Sequence, residues 1–323
     1  MKRYRDVTIY VFILLFLITL LLFSYFSDTI AFHDVFEYIT TAKELAGIHN
    51  LNIFTTHSLV YPYFLSFFLK ILPGFTMIKI INSLFLFING LLLYYHTKNK
   101  KTLLLWAFSP FLWFMSIQII PMVPASTLIL LSYILFKKYE DNGSKLYLFI
   151  SGLSLGLAGA VYSPAFIVAL FFILVFFWKR ISWEVFLYLI FFAFGVLPRL
   201  ILDYFLFRMP IYSLVRYFGA NLLVILGNSP FKLEAFYSYW LLIPIIFTPL
   251  LFMIYKVDFK KYNKEIIFLI LCTLFFGIRG GDSTYFILFI PIVFIPLSEN
   301  VDRRLLQAGI LISVILVIIF TSS

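Results

Sequence analysis

The chain has 323 residues, of which 63% are apolar, 21% aromatic and 12% charged. That composition lies outside the range of soluble domains and belongs to polytopic membrane proteins. The net charge is +10, but the basic residues stand in twos and threes between apolar runs, a spacing that fits membrane topology better than nucleic acid. The single cysteine, Cys272, sits inside an apolar run, which excludes a disulfide framework and a thiolate metal cluster. No Walker-type phosphate loop occurs, which argues against an ATP-driven pump in one chain.

In chain order, the basic MKRYRD leads into an apolar stretch without a small-residue cleavage site, so residues 7–26 are read as a retained first helix rather than a signal peptide. A spanning helix needs about 20 apolar residues at 1.5 Å each. After a polar interval, the run 59–72 is short for a span and is closed by Pro73 and Gly74. Further apolar runs follow at 76–95, 102–117, 120–136, 146–161, 164–178, 183–201, 236–255, 265–279, 284–297 and 305–321.

Lys/Arg clusters mark cytoplasmic loops and decide the doubtful run. They are Lys2/Arg3/Arg5, Lys98/Lys100/Lys101, Lys137/Lys138/Lys145, Lys179/Arg180, Lys256/Lys260/Lys261/Lys264 and Arg303/Arg304. All fall on one side if 59–72 lies along the outer interface instead of crossing. The expectation is therefore an all-α polytopic bundle, one integral membrane domain over 1–323, with eleven spans and a cytoplasmic N-terminus. Two sizeable outer segments result, 27–75 with interfacial helices and 202–235, plus a short outer turn at Arg279-Gly280-Gly281-Asp282. Lys43, Lys70, Lys79, Arg199, Arg208, Arg216, Lys232 and Arg279 remain outside, against the positive-inside trend; binding an anionic partner or snorkelling to headgroups would explain them.

The first outer segment holds three of the four histidines, with Asp34, Glu37 and Glu44. In HDVFEYITTAKEL, Asp34, Glu37, Tyr38 and Thr41 are spaced i, i+3, i+4, i+7, so a helix puts them on one face. Two carboxylates a turn apart near a bilayer surface suit a general base, while a capped, solvated loop helix is the plainer reading. His33, His49 and His57 with these carboxylates would suit a divalent metal, but neither HExxH nor an i, i+4 histidine pair is present, and loop histidines are the better reading. No cofactor is expected.

This segment resembles the first outer loop of the GT-C superfamily, the polytopic glycosyltransferases that use lipid-phosphate sugars. There an Asp in a D-E-x-x-Y-like pattern is followed by A-x-x-L and a glycine; here Asp34, Tyr38, Ala42, Leu45 and Gly47 stand in that order. The departure is Val35 where the second acid often sits, with Glu37 two places on. HSLVYPYFLSFFLKILPG is similar to the interfacial helix that follows in the family, and MIKIINSLFLFINGLLLYYHTKNK to its second span. Further resemblance lies in LWAFSPFLWFMSIQIIPMVPASTLILLSYILFKK, LGLAGAVYSPAFIVALFF, PRLILDYFLFRMPIYSLVRYFGANL and IRGGDSTYFILFIPIVFIPL.

The resemblance implies inverting transfer of a sugar, mannose or a similar hexose, from a polyprenyl- or dolichyl-phosphate donor to an acceptor hydroxyl on a glycan, lipid or protein. The reaction face is the outer or lumenal one, in a prokaryotic plasma membrane or the endoplasmic reticulum. It gives Asp34 the role of base, with Glu37 as alternative or acceptor-orienting group, and assigns donor phosphate to Arg279, then Arg208, Arg216 and Lys232. Asp203, Tyr285, Tyr38 and His57 are the candidates for positioning substrate. Asp203 could instead simply pair with Arg199 one helical turn away. A lipid or lipid-sugar flippase, or a catalytically silent scaffold of the same fold, would use similar cations.

Overall fold

A computed structural model describes residues 2–27, 33–48, 57–72, 74–178, 183–225, 257–278, 283–299 and 301–322. The regular elements among them are all helical. They are α1 (Lys2–Phe26), α2 (His33–Leu45), α3 (Val60–Leu69), α4 (Phe75–Thr97), α5 (Lys100–Ala107), α6 (Pro110–Ser116), α7 (Met122–Asn142), α8 (Lys145–Val161), α9 (Ala165–Phe176), α10 (Trp183–Phe207), α11 (Tyr212–Ile225), α12 (Asn263–Ile278), a 3-10 turn (Ser283–Leu288), α13 (Ile290–Glu299) and α14 (Arg303–Ser322). Three are long and apolar enough to cross a membrane: Thr8–Phe26 within α1, α4 and α10.

Where the sequence suggests single spans at 102–117 and 284–297, the chain breaks. Pro110 opens α6 at its first turn, and Ser109 before it is extended at φ −70°, ψ 122°. A proline disfavours helical backbone in the residue that precedes it, so the apolar run becomes two short helices, α5 and α6. Pro291 likewise lies in the first turn of α13, behind the 3-10 turn. Helix α10 continues past position 202 to Phe207, and α11 follows almost at once. The run 236–255 and the turn 279–282 lie outside the described residues.

Helix α4 is central, packing on α1, α3, α5, α6, α7 and α13. Trp106 of α5 is fully buried there, its indole N–H donating to the Leu86 carbonyl at 2.9 Å and its ring meeting Phe294 edge-on at 5.3 Å. A second layer runs α7–α8–α10. In it Ser132, Ser151 and the Tyr188 hydroxyl share hydrogen bonds of 3.0–3.3 Å, satisfying polar groups that hydrocarbon would leave bare. The α8–α10 seam is made by glycines: a Cβ on Gly156 would stand 2.0 Å from the Phe192 carbonyl oxygen, and one on Gly195 would stand 2.2 Å from that of Leu153. Only backbones without side chains come this close, and the seam fixes where α10 presents its polar residues.

At the other end of α7 and α8, Glu265 of α12 is buried. It accepts from Lys137 at 2.9 Å and from the Tyr133 hydroxyl at 2.8 Å, and Lys264 reaches Glu140 at 3.1 Å. These contacts tie α12 to α7.

Candidate functional site

The 27–75 segment does contain a helix pair. Helix α3 has 10 residues, far too few to cross a bilayer, and it packs against α2. One face of α3 is buried through Tyr61, Pro62, Leu65 and Leu69, while Tyr63 and Phe67 are exposed. Both faces are apolar or aromatic.

Helix α2 grades from exposed to buried along the face that carries the acids. The Asp34 side chain is 56% exposed, Glu37 is half-buried, and Tyr38 and Thr41 are buried. Val35 is fully buried on the adjacent face. A carboxylate in its place would be desolvated in the core, which accounts physically for the second acid standing at position 37. Phe36 points outward and meets the Phe75 ring at 6.5 Å.

Asp34 is held by His57, whose Nε2 lies 3.4 Å from Asp34 Oδ2. The imidazole is flanked by the Tyr38 ring at 5.4 Å and the Tyr217 ring at 5.8 Å. Tyr38 in turn meets Tyr61 edge-on at 5.7 Å, and the Tyr61 hydroxyl donates to Asn82 Oδ1 at 3.2 Å. Asn82 anchors this chain to the turn between α6 and α7 by donating to the Gln118 carbonyl at 2.8 Å. Just before α3, Ser58 donates to the Ala160 carbonyl at the end of α8. Burial, and after it the charge of Asp34, push the Tyr38 phenol well above its usual pKa, so it stays protonated beside the carboxylate.

Behind Tyr38 lies a cation that sequence reasoning left among the residual outer charges. Arg199 of α10 is fully buried. Its Nε donates to Ser213 Oγ at 2.8 Å, and its Nη1 donates to Ser163 Oγ at 2.9 Å and to the Gly159 carbonyl at 3.3 Å. Its Nη2 has no hydrogen-bond partner among the described residues. Tyr38 and Tyr217 are within electrostatic range of the guanidinium.

Asp203, one turn along α10, does not pair with Arg199 directly. Ser213 stands between them, its hydroxyl and backbone N–H both donating to Asp203 Oδ2, at 2.7 and 2.9 Å. Asp203 Oδ1 is buried and has no hydrogen-bond partner among the described residues. Tyr285, from the 3-10 turn, stacks on Tyr162 at 6.1 Å and on Phe276 at 5.2 Å. Burial and the neighbouring Tyr285 raise the Tyr162 phenol well above its usual pKa.

Of the sequence candidates, Asp34, Tyr38 and His57 therefore come together directly. Asp203 and Tyr285 lie on the elements that close the same region, and Glu37 sits a turn away on α2. Arg208 and Arg216 are exposed, on the α10–α11 corner and on α11. Arg279 and Lys232 lie outside the described residues, as does His49. The sequence marked Arg199 only as one of several outer cations and did not mark Ser163, Ser213, Tyr162 and Tyr217. The available signal was an arginine inside the apolar run of α10, since an ionisable group at membrane depth marks a functional site by default.

The crystal structure of ArnT from Cupriavidus metallidurans bound to undecaprenyl phosphate matches this fold with a TM-score of 0.70 at 11% identity, over 92% of this chain and 62% of that one. The chain thus spans about three fifths of the length of that protein. No protein-family model and no curated protein matches the sequence. The likeness is one of fold, and the all-α helical bundle expected from the sequence is the architecture found among the described residues.

Proposed function

We propose that the protein is a GT-C-type membrane glycosyltransferase, moving a sugar from a polyprenyl-phosphate donor to an acceptor hydroxyl at the outer or lumenal face. The observation that carries this reading is that Tyr38 links a half-exposed carboxylate, Asp34, one helical turn away, to a buried arginine, Arg199, within its electrostatic range, whose Nη2 has no hydrogen-bond partner among the described residues. Inverting transfer needs those two groups. Asp34 takes the acceptor proton as the acceptor oxygen attacks the anomeric carbon. The bond from that carbon to the phosphate oxygen breaks, and the bonding pair leaves on the lipid phosphate.

Arg199 suits the departing phosphate better than Arg208 or Arg216. It is desolvated and fixed by two serines, so its charge acts at full strength without reorganisation as the phosphate charge grows. His57 orients Asp34, Tyr38 donates a proton-bearing hydroxyl to the region, and Asp203 with Tyr285 positions sugar hydroxyls. ArnT was crystallised with undecaprenyl phosphate, which supports a polyprenyl phosphate as the donor lipid; a hexose such as mannose is the sugar we assign. Glu37 is the alternative base, one turn from Asp34.

The test is a transfer assay with purified protein and a panel of radiolabelled polyprenyl-phosphate sugars, comparing wild type, Asp34→Asn, Glu37→Gln and Arg199→Gln. Asp34→Asn is expected to lose 10²–10⁴-fold in rate, as removal of a general base does, while donor binding persists. Arg199→Gln is expected to weaken donor binding itself. Donor binding by the wild type without transfer of any sugar would refute the enzyme reading in favour of a flippase or scaffold.

A further inference from the structure

The corner between α10 and α11 carries two cations that the proposed reaction does not use. Arg208 and Arg216 are both exposed, and neither forms an ion pair among the described residues. Arg208 sits at φ 58°, the left-handed region that a non-glycine residue adopts at a cost, at the end of α10 where glycine is the usual choice. Its backbone N–H closes the helix on the Tyr204 carbonyl at 2.9 Å.

The same two helices expose apolar side chains: Phe205 on α10 is 67% exposed, and Val215 and Leu222 on α11 are 52% and 55% exposed. The opposite face of α11 points inward, with Ser213 buried against Arg199 and Asp203. Helix α11 therefore has one face in the candidate site and one face greasy with an arginine in it. The second pattern is that of a helix lying in a bilayer interface with its cations at the phosphate level.

From this geometry we infer that the α10–α11 corner is a docking surface for anionic phospholipid headgroups of the outer leaflet. Two exposed forks that form no ion pair among the described residues complement a phosphodiester, and apolar surface on the same two helices takes the acyl chains. The inference does not depend on the chain being a transferase.

It is tested with the purified full chain in nanodiscs of phosphatidylcholine containing a minor fraction of phosphatidylglycerol, counting retained phosphatidylglycerol by native mass spectrometry. Wild type is expected to retain phosphatidylglycerol above its share of the disc. Arg208→Gln and Arg216→Gln are each expected to lower that preference about fivefold, the equivalent of about 1 kcal/mol per arginine. The Arg208→Lys and Arg216→Lys variants restore most of it. Lys145→Gln, which removes an exposed cation at the far end of α8, leaves it unchanged, and circular dichroism with gel filtration shows every variant folded. Unaltered retention in the double glutamine variant overturns the proposal, and so does an equal loss in Lys145→Gln. Displacement of the lipid by millimolar inorganic phosphate would assign the corner to a soluble anion and overturn the lipid assignment.

Discussion

Replacing Gly156 by alanine tests whether the site is held by the α8–α10 seam. The new Cβ would lie 2.0 Å from the Phe192 carbonyl oxygen, 2.8 Å from its carbon and 3.0 Å from Gly195 Cα. All three are backbone atoms, so no side chain can swing away. The helices must open by roughly 1 Å before the C···O distance reaches the ~3.3 Å of ordinary close approach. Gly159, one turn along α8, accepts from Arg199 at 3.3 Å, and opening the seam breaks that bond. Overpacking of this kind costs about 1–3 kcal/mol, and the better helix propensity of alanine returns up to about 1. A net loss of about 1–2 kcal/mol lowers the unfolding midpoint by several degrees, at roughly 2–4 °C per kcal/mol. Thermal unfolding in detergent, followed by size exclusion, reads this directly. The reference is Gly219→Ala in α11, where nothing lies within 4 Å of the added atom and no loss is expected. Equal midpoints for Gly156→Ala, Gly219→Ala and wild type would refute the reasoning.

Three further outcomes follow from the contacts. Ser213→Ala strips Arg199 Nε and Asp203 Oδ2 of their shared hydroxyl, and with about 1–3 kcal/mol for each buried group left short, the midpoint should fall further than for an exposed serine. Lys137→Met leaves Glu265 buried at 2% exposure with Tyr133 as its remaining donor among the contacts above; removing one partner of a buried ion pair costs about 3–5 kcal/mol, and Lys137→Met with Glu265→Met together should recover most of it. Burial raises the pKa of Tyr38, Tyr61 and Tyr162, whereas an unfolded tyrosine titrates near ~10. Their contribution to stability is therefore complete below about pH 10 and is lost as pH rises above it. Denaturation at alkaline pH should be less steep in Tyr61→Phe than in wild type, and an identical slope would refute the assignment.

Composition and periodicity are enough to fix the solvent, the helical class and the presence of two short helices between the first two long ones. Apolar runs near twenty residues leave no alternative in lipid, and the Lys/Arg bias is the ground for expecting the 59–72 run along the interface instead of across it. The sequence also placed Asp34, Tyr38 and Thr41 on one face, because helical spacing is local information. It did not foresee the breaks at Ser109–Pro110 and in 284–297, where a proline overrides an unbroken hydrophobic run. Nor did it single out Arg199 over Arg208 and Arg216. All three read alike as outer arginines, and what separates them is burial, which depends on how closely two glycine-lined helices approach. The meeting of His57, Tyr38 and Tyr217 likewise belongs to tertiary structure: the residues come from three elements spread from position 38 to position 217, and only packing carries information across that distance.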